Sequence, residues 1–217
     1  DGSVSAVAKK YYEKSIQQFE SILRKGNDDP KWVNEQDRLS KGYLLQVNSR
    51  IAELKSKLGS YSDALTSFSQ ILQVNEMRLD IQIAAASVYM QWGNQLQVTD
   101  KTNASKQFVA AIGGGFPKAD EAAGNIVWGW KKIAKLTQGN AKFREEFFEA
   151  RYNLALARYQ YAKLRTSEKP KYLGYAEQEI ENTQLIVKDL GNWKPRFEAL
   201  LKQVQKDLKK PQVGFGD

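Results

Sequence analysis

The residues best equipped for chemistry in this 217-residue chain are carboxylates, tyrosines and cations, because histidine and cysteine are both absent. Without cysteine there is no thiolate nucleophile, no disulfide and no zinc–thiolate site. Without histidine the usual general base near neutral pH and the commonest transition-metal ligand are missing. Ser–His–Asp, Cys–His and His-ligated metal chemistry are thus excluded by composition. Glu145, Glu146 and Glu149 lie close together, and Glu145 and Glu149 are one helical turn apart. Such a pair can bind a metal or move a proton. With Arg144 and Arg151 beside them, they read as a solvated helix face. Asp28–Asp29 reads as a helix cap, since no EF-hand spacing follows. The glycines of GGGFP at 113–117 lack the Lys-Ser/Thr of a phosphate loop and read as a turn. No catalytic, metal-ligating or cofactor-binding residue is assigned, and the expectation is a protein that is not an enzyme and carries no cofactor.

The densest feature is aromatic. Trp128, Trp130, Phe143, Phe147, Phe148, Tyr152, Tyr159 and Tyr161 alternate with Lys131, Lys132, Arg151 and Arg158. Rings beside cations can stack bases or grip a peptide. They also hold helices together, which is the reading taken for most of them. On one helix Trp128 and Trp130 would point about 200° apart, leaving one as a candidate exposed anchor.

Lys plus Arg is 33 and Asp plus Glu is 25, a net charge of +8. The excess sits mostly in residues 109–217, with 19 basic and 13 acidic side chains, against 14 and 12 in residues 1–108. A basic half suits an acidic partner, but the cations are spread among acids rather than massed. No run of 18 apolar residues exists, and no basic stretch followed by an apolar one opens the chain. Cytoplasm and periplasm both fit. The opening at Asp1 and the run PQVGFGD suggest a piece of a longer protein. Hydrophobic residues make up 41% of the chain, enough for a core in one domain spanning 1–217.

Apolar spacing is helical almost throughout. Tyr61, Ala64, Leu65, Phe68, Ile71 and Leu72 fall on one helix face, after a boundary at Gly59–Ser60. Pro30 fits the first turn of a long helix striped by Trp32, Leu39, Tyr43, Val47, Ile51, Leu54 and Leu58. About nine helices are expected, near 4–25, 30–58, 60–74, 77–96, 102–112, 117–137, 141–165, 170–190 and 193–209. No strand is expected, because alternation is never sustained. Short connections imply antiparallel neighbours, so the fold class is all-α.

The chain also repeats itself. Shifted back by 49 residues, Tyr61, Phe68, Ile71 and Leu72 meet Tyr12, Phe19, Ile22 and Leu23. Shifted forward by 40, Ala64 meets Ala104 and Phe68 meets Phe108. A small residue lets a partner helix approach, and the ring one turn on fills the gap. This pattern resembles the second helix of a tetratricopeptide repeat (TPR), a 34-residue helix–turn–helix unit. The clearest copy runs from Leu45 to Arg78, with Ile51–Ala52, Gly59, Tyr61, Ala64, Phe68 and Ile71. A second has Ala85–Ala86, Tyr89, Trp92 and Gly93, then Ala104, Phe108 and Ala111. A third has Tyr152, Asn153, Leu154, Ala155 and Tyr159, then Ala176 and Ile180. Spacings of 49 and 40 exceed the family period, and residues 117–137 fit no repeat position, so the array would be irregular.

The resemblance implies a TPR-like α-solenoid of antiparallel helix pairs. A capping helix would carry Trp193, Phe197, Leu200, Leu201, Val204 and Leu208 on its apolar face. It also implies a concave surface lined by first helices, here Gln46, Ser49, Glu53, Ile83, Ser87, Met90, Tyr152, Leu156 and Tyr159. The family's Lys/Asn carboxylate clamp is absent, since Ser49, Glu53, Ile83 and Ser87 occupy those places. The expectation is a protein-interaction scaffold that takes a peptide or partner helix, an acidic one suiting the basic half. The second reading is a helical solenoid that binds nucleic acid through that half.

Overall fold

In the computed structural model, residues 4–28, 39–117 and 124–215 are described. Nine α-helices occur among them: α1 Ala6–Asp28, α2 Leu39–Lys57, α3 Tyr61–Val74, α4 Leu79–Leu96, α5 Lys101–Gly113, α6 Trp130–Thr137, α7 Arg144–Leu164, α8 Lys169–Ile186 and α9 Lys194–Asp207. Two short strands, β1 Gly114–Pro117 and β2 Asn125–Trp128, lie between α5 and α6. The helices pack in antiparallel pairs. Contacts gather in two compact units, Asp1–Val88 and Tyr89–Asp217. The expected roles of Asp29, Pro30 and Trp32 lie outside the described residues, and Asp28 closes α1.

In the first unit α1 packs on α2, and α2 on α3. The predicted face of α3 is the buried one: Ala64, Leu65, Phe68, Ile71 and Leu72 are at most 2% exposed. The partner helix α2 buries Val47, Ile51 and Ala52, at most 3% exposed. Ala52 and Ala64 have no exposed surface, as close helix approach demands. Gly59, at φ +80°, turns the chain between the two helices. There the Ser60 amide donates to the Lys55 carbonyl at 2.9 Å, closing α2 with a left-handed residue that glycine tolerates.

In the second unit α7 is central and touches α5, α6, α8 and α9. Leu154, Ala155, Ala176 and Ile180, the expected pairing residues of α7 and α8, are at most 2% exposed. Pro170 and Pro195 sit in the first turns of α8 and α9, where no amide partner is needed. Phe197, Leu200, Leu201 and Val204 of α9 join a core with Phe147, Phe148 and Leu173. Asp100 caps α5 by accepting the Asn103 amide at 3.0 Å.

The expectation of no strand fails between α5 and α6. A helix over 117–137 does not form; β1 and β2 pair antiparallel, with Gly114 opposite Trp128 and Pro117 opposite Asn125. Ile126 and Val127 suit a strand, and Gly124 and Gly129 bracket it. Four residues of strand are too short to show a sustained alternation, and their pairing partner is the glycine-rich stretch Gly114–Pro117. Gly114, at φ +98°, lets the chain leave α5 into β1, and a Cβ there would collide with the Val127 carbonyl. The strand also separates the two tryptophans. Trp128 ends β2 and Trp130 begins α6, so helical angles do not relate them, and both are buried, at 3% and 0% exposure. Neither is an exposed anchor.

Candidate interaction surface

The nine expected lining residues fall on α2, α4 and α7, and they differ in accessibility. On α2, Gln46 is exposed and Glu53 half-buried. The Ser49 hydroxyl is buried and reaches Glu53 Oε1 at 3.5 Å, while Arg50 Nη1 donates to Glu53 Oε2 at 2.6 Å. On α4, Ile83 and Ser87 are one turn apart and partly exposed, whereas Met90 is buried.

On α7 the expected residues turn toward α9. The Tyr152 ring stands edge-on to Phe197 at 5.6 Å and lies 5.8 Å from Trp193. Leu156 packs on the same core, and Tyr159 is within it. Burial raises the Tyr159 hydroxyl above the usual tyrosine range, and the nearby Asp207 carboxylate adds to this. Trp193 donates its indole N–H to Glu145 Oε2 at 2.9 Å, and the Arg196 guanidinium lies 5.0 Å from the Trp193 ring. The rings singled out in the sequence are mostly packing elements: Phe147, Phe148, Tyr159 and Tyr161 are buried, along with both tryptophans.

The charged residues around the glutamates divide differently from the sequence reading. Arg151 does not neutralise Glu145 or Glu149. It reaches across to α8, where its Nε donates to Thr183 Oγ1 at 2.8 Å. Its Nη1 also lies 2.7 Å from Glu179 Oε1. Arg158 Nη1 donates to Glu179 Oε2 at 2.6 Å and to the Tyr175 carbonyl at 3.0 Å. Glu179 Oε1 has no aligned hydrogen bond, so its link to Arg151 is Coulombic. Desolvation lowers the Arg151 pKa, Glu179 raises it, and Arg158 lowers it again. This Arg–Glu–Arg cluster fastens α7 to α8 at a buried seam. Sequence inspection missed it because its members lie on two helices. Glu149, half-buried beside Glu146, has its carboxyl raised by desolvation and by Glu146, with Arg196 opposing. Among the described residues no group of three or more carboxylates could hold a metal ion.

Two further features were not legible in the sequence. A cavity of about 220 Å³ is lined by Thr137, Asn140, Arg144, Phe147 and Val187, among others. Arg144 Nη2 is engaged by the Asp189 carbonyl at 2.6 Å. The other feature is the segment Lys210–Phe215, which returns along α9 and buries Phe215 in the core. No described helix is long and apolar enough to cross a membrane.

The packing is that of repeat-like antiparallel helix pairs, consistent with helical-repeat proteins in general. No family model, no curated protein and no solved structure matches the chain.

Proposed function

We propose that this chain is a non-enzymatic, TPR-like protein-interaction scaffold that binds a peptide or a partner helix along its first helices. The observation that carries the reading is a division of labour on α2 and α4. Small and apolar side chains such as Ala52, Ile51, Ala85 and Ala86 are consumed in the core, while Gln46, Glu53, Ile83 and Ser87 keep access to solvent. Helices held rigid by packing present such side chains in a fixed pattern, so less conformational entropy is lost on association. The net charge of +8 favours an acidic partner and a salt-sensitive association rate.

The test is site-specific photo-crosslinking in the native host extract. A benzoylphenylalanine at position 46 or 83 should trap one discrete protein partner, whereas one at the exposed Lys106 of α5 should not. Loss of the adduct in excess unlabelled protein confirms saturable binding. Equal labelling at all three positions overturns the reading, and adducts with RNA instead would favour the nucleic-acid alternative.

A further inference from the structure

We propose that the segment Lys210–Phe215 is a ligand bound in cis, and that its seat on α8 and α9 is a docking site for an extended partner peptide of the pattern Lys-x-x-x-x-Phe. This site is distinct from the first-helix surface and stands independently of it. The chain reverses at Lys209, a non-glycine residue at φ +59°, where the Lys210 amide donates to the Gln205 carbonyl at 2.9 Å. Among the described residues beyond this reversal, 211–215, no helix or strand forms. Pro211 has no amide to donate and favours an extended course.

Three points hold the segment, and each suits a peptide rather than a helix face. Lys210 Nζ donates to Glu177 Oε2 of α8 at 2.6 Å. The Val213 amide donates to Gln205 Oε1 of α9 at 2.9 Å. The Phe215 ring is 9% exposed and belongs to the core cluster with Phe197, Leu201 and Val204. Gly214 passes beside Glu198 and Lys202, so the segment runs back along α9. Between the anchors, Pro211, Gln212 and Val213 are exposed, Val213 by 58%.

The seat is therefore built of an apolar hole and two acceptors, Glu177 and Gln205, which are 8% and 4% exposed with the segment in place. An occupant that covers these acceptors without donating to them leaves them buried and unpaired, so the seat selects one that brings a cation, a backbone N–H and a ring in that order. The segment itself shows which occupant that is. Aromatic burial supplies the affinity and the two acceptors set the register. With few contacts between the anchors, the segment is released at a lower free energy than the core and exchanges with a competing peptide.

Fluorescence anisotropy with the labelled peptide KPQVGFGD, the sequence of residues 210–217, tests the site on the full chain. The Phe215→Ala variant should bind it about tenfold more tightly than the unaltered protein, whose own segment competes. Replacing Phe by Ala in the peptide, or methylating its Val nitrogen, should weaken binding to that variant by about tenfold each, with no change to the protein. Equal binding by the two proteins, or indifference to either peptide change, overturns the proposal. If Phe215→Ala impairs folding, a chain carrying Gly-Ser-Gly-Ser-Gly at 211–215 takes its place. Hydrogen exchange on the unaltered protein gives a variant-free check. The Val213 amide should exchange faster than the amides of Leu154 and Ile180, and exchange only with global unfolding would show that the segment is never released.

Discussion

The Phe108 ring of α5 lies where a side chain on Gly93 of α4 would begin: a Cβ built at Gly93 would stand 2.9 Å from two of its ring carbons. Phe108 has no exposed surface and so has no free direction in which to move. The absence of a side chain at 93 is what lets the ring fill the gap between the helices.

Gly93→Ala should therefore destabilise the protein even though alanine favours a helix. The propensity gain is about 1 kcal/mol, and overpacking a filled core costs about 1–3 kcal/mol. Urea unfolding should show a net loss of about 1 kcal/mol. Adding Phe108→Leu to Gly93→Ala should cost less than Phe108→Leu alone, because the two positions share one space.

The buried cluster of Arg151, Glu179 and Arg158 should respond asymmetrically. Their side chains are 13%, 9% and 17% exposed. Glu179→Gln leaves two cations facing each other and should cost about 3–5 kcal/mol. Replacing all three together by Met, Leu and Met should cost far less, since no unpaired charge is then buried. Chemical denaturation of the two variants checks this, and equal losses would mean that packing alone matters at the seam.

Alkaline pH should weaken the fold in a defined window. Burial pushes the Tyr89 hydroxyl up to about 12. Tyr161 is also raised to about 12, by burial first and then by its hydrogen bond to Glu168 Oε2 at 2.6 Å. Below the ordinary tyrosine value of 10.0 both are protonated, folded or unfolded, and their contribution is complete. Above it the unfolded chain releases protons that the folded chain keeps, so stability falls as pH rises from about 10 to about 12. Absorbance at about 295 nm should show these among the last tyrosines to ionise, and Tyr161→Phe should remove one late step.

Trp130 should tolerate a substitution that cores usually resist. Its ring is fully buried, yet its indole Nε1 has no hydrogen-bond partner among the described residues. A buried donor left unmade costs about 1–3 kcal/mol, which Trp130→Phe removes. That gain offsets most of the lost packing, so thermal unfolding should show a net change within about 1 kcal/mol.

How far the fold was legible depends on the range of the interaction. The buried face of α3, the turn at Gly59 and the pairing residues Leu154, Ala155, Ala176 and Ile180 all follow from local rules. Helical periodicity, left-handed turn geometry and small-residue spacing act within a few positions. The placement of Gln46, Ile83 and Tyr152 on helices, here α2, α4 and α7, was legible for the same reason. The accessibility of Tyr152 was not, since Phe197 of α9 and the preceding Trp193 lie against its ring.

What the sequence determined by itself was a mainly α-helical chain without histidine or cysteine, the approximate bounds of most of its described helices, and the buried stripes of α3 and α9. Tertiary structure alone decided that Asn125–Trp128 pairs with Gly114–Pro117, that Arg151 turns to Glu179, and that Phe215 returns to the core. The physical reason is the same in each case. These choices match groups that are not local in the chain, from the paired strands to Arg151 and Glu179 and to Phe215 and Phe147, and the free energy of such a contact is shaped by every other element competing for the same surface.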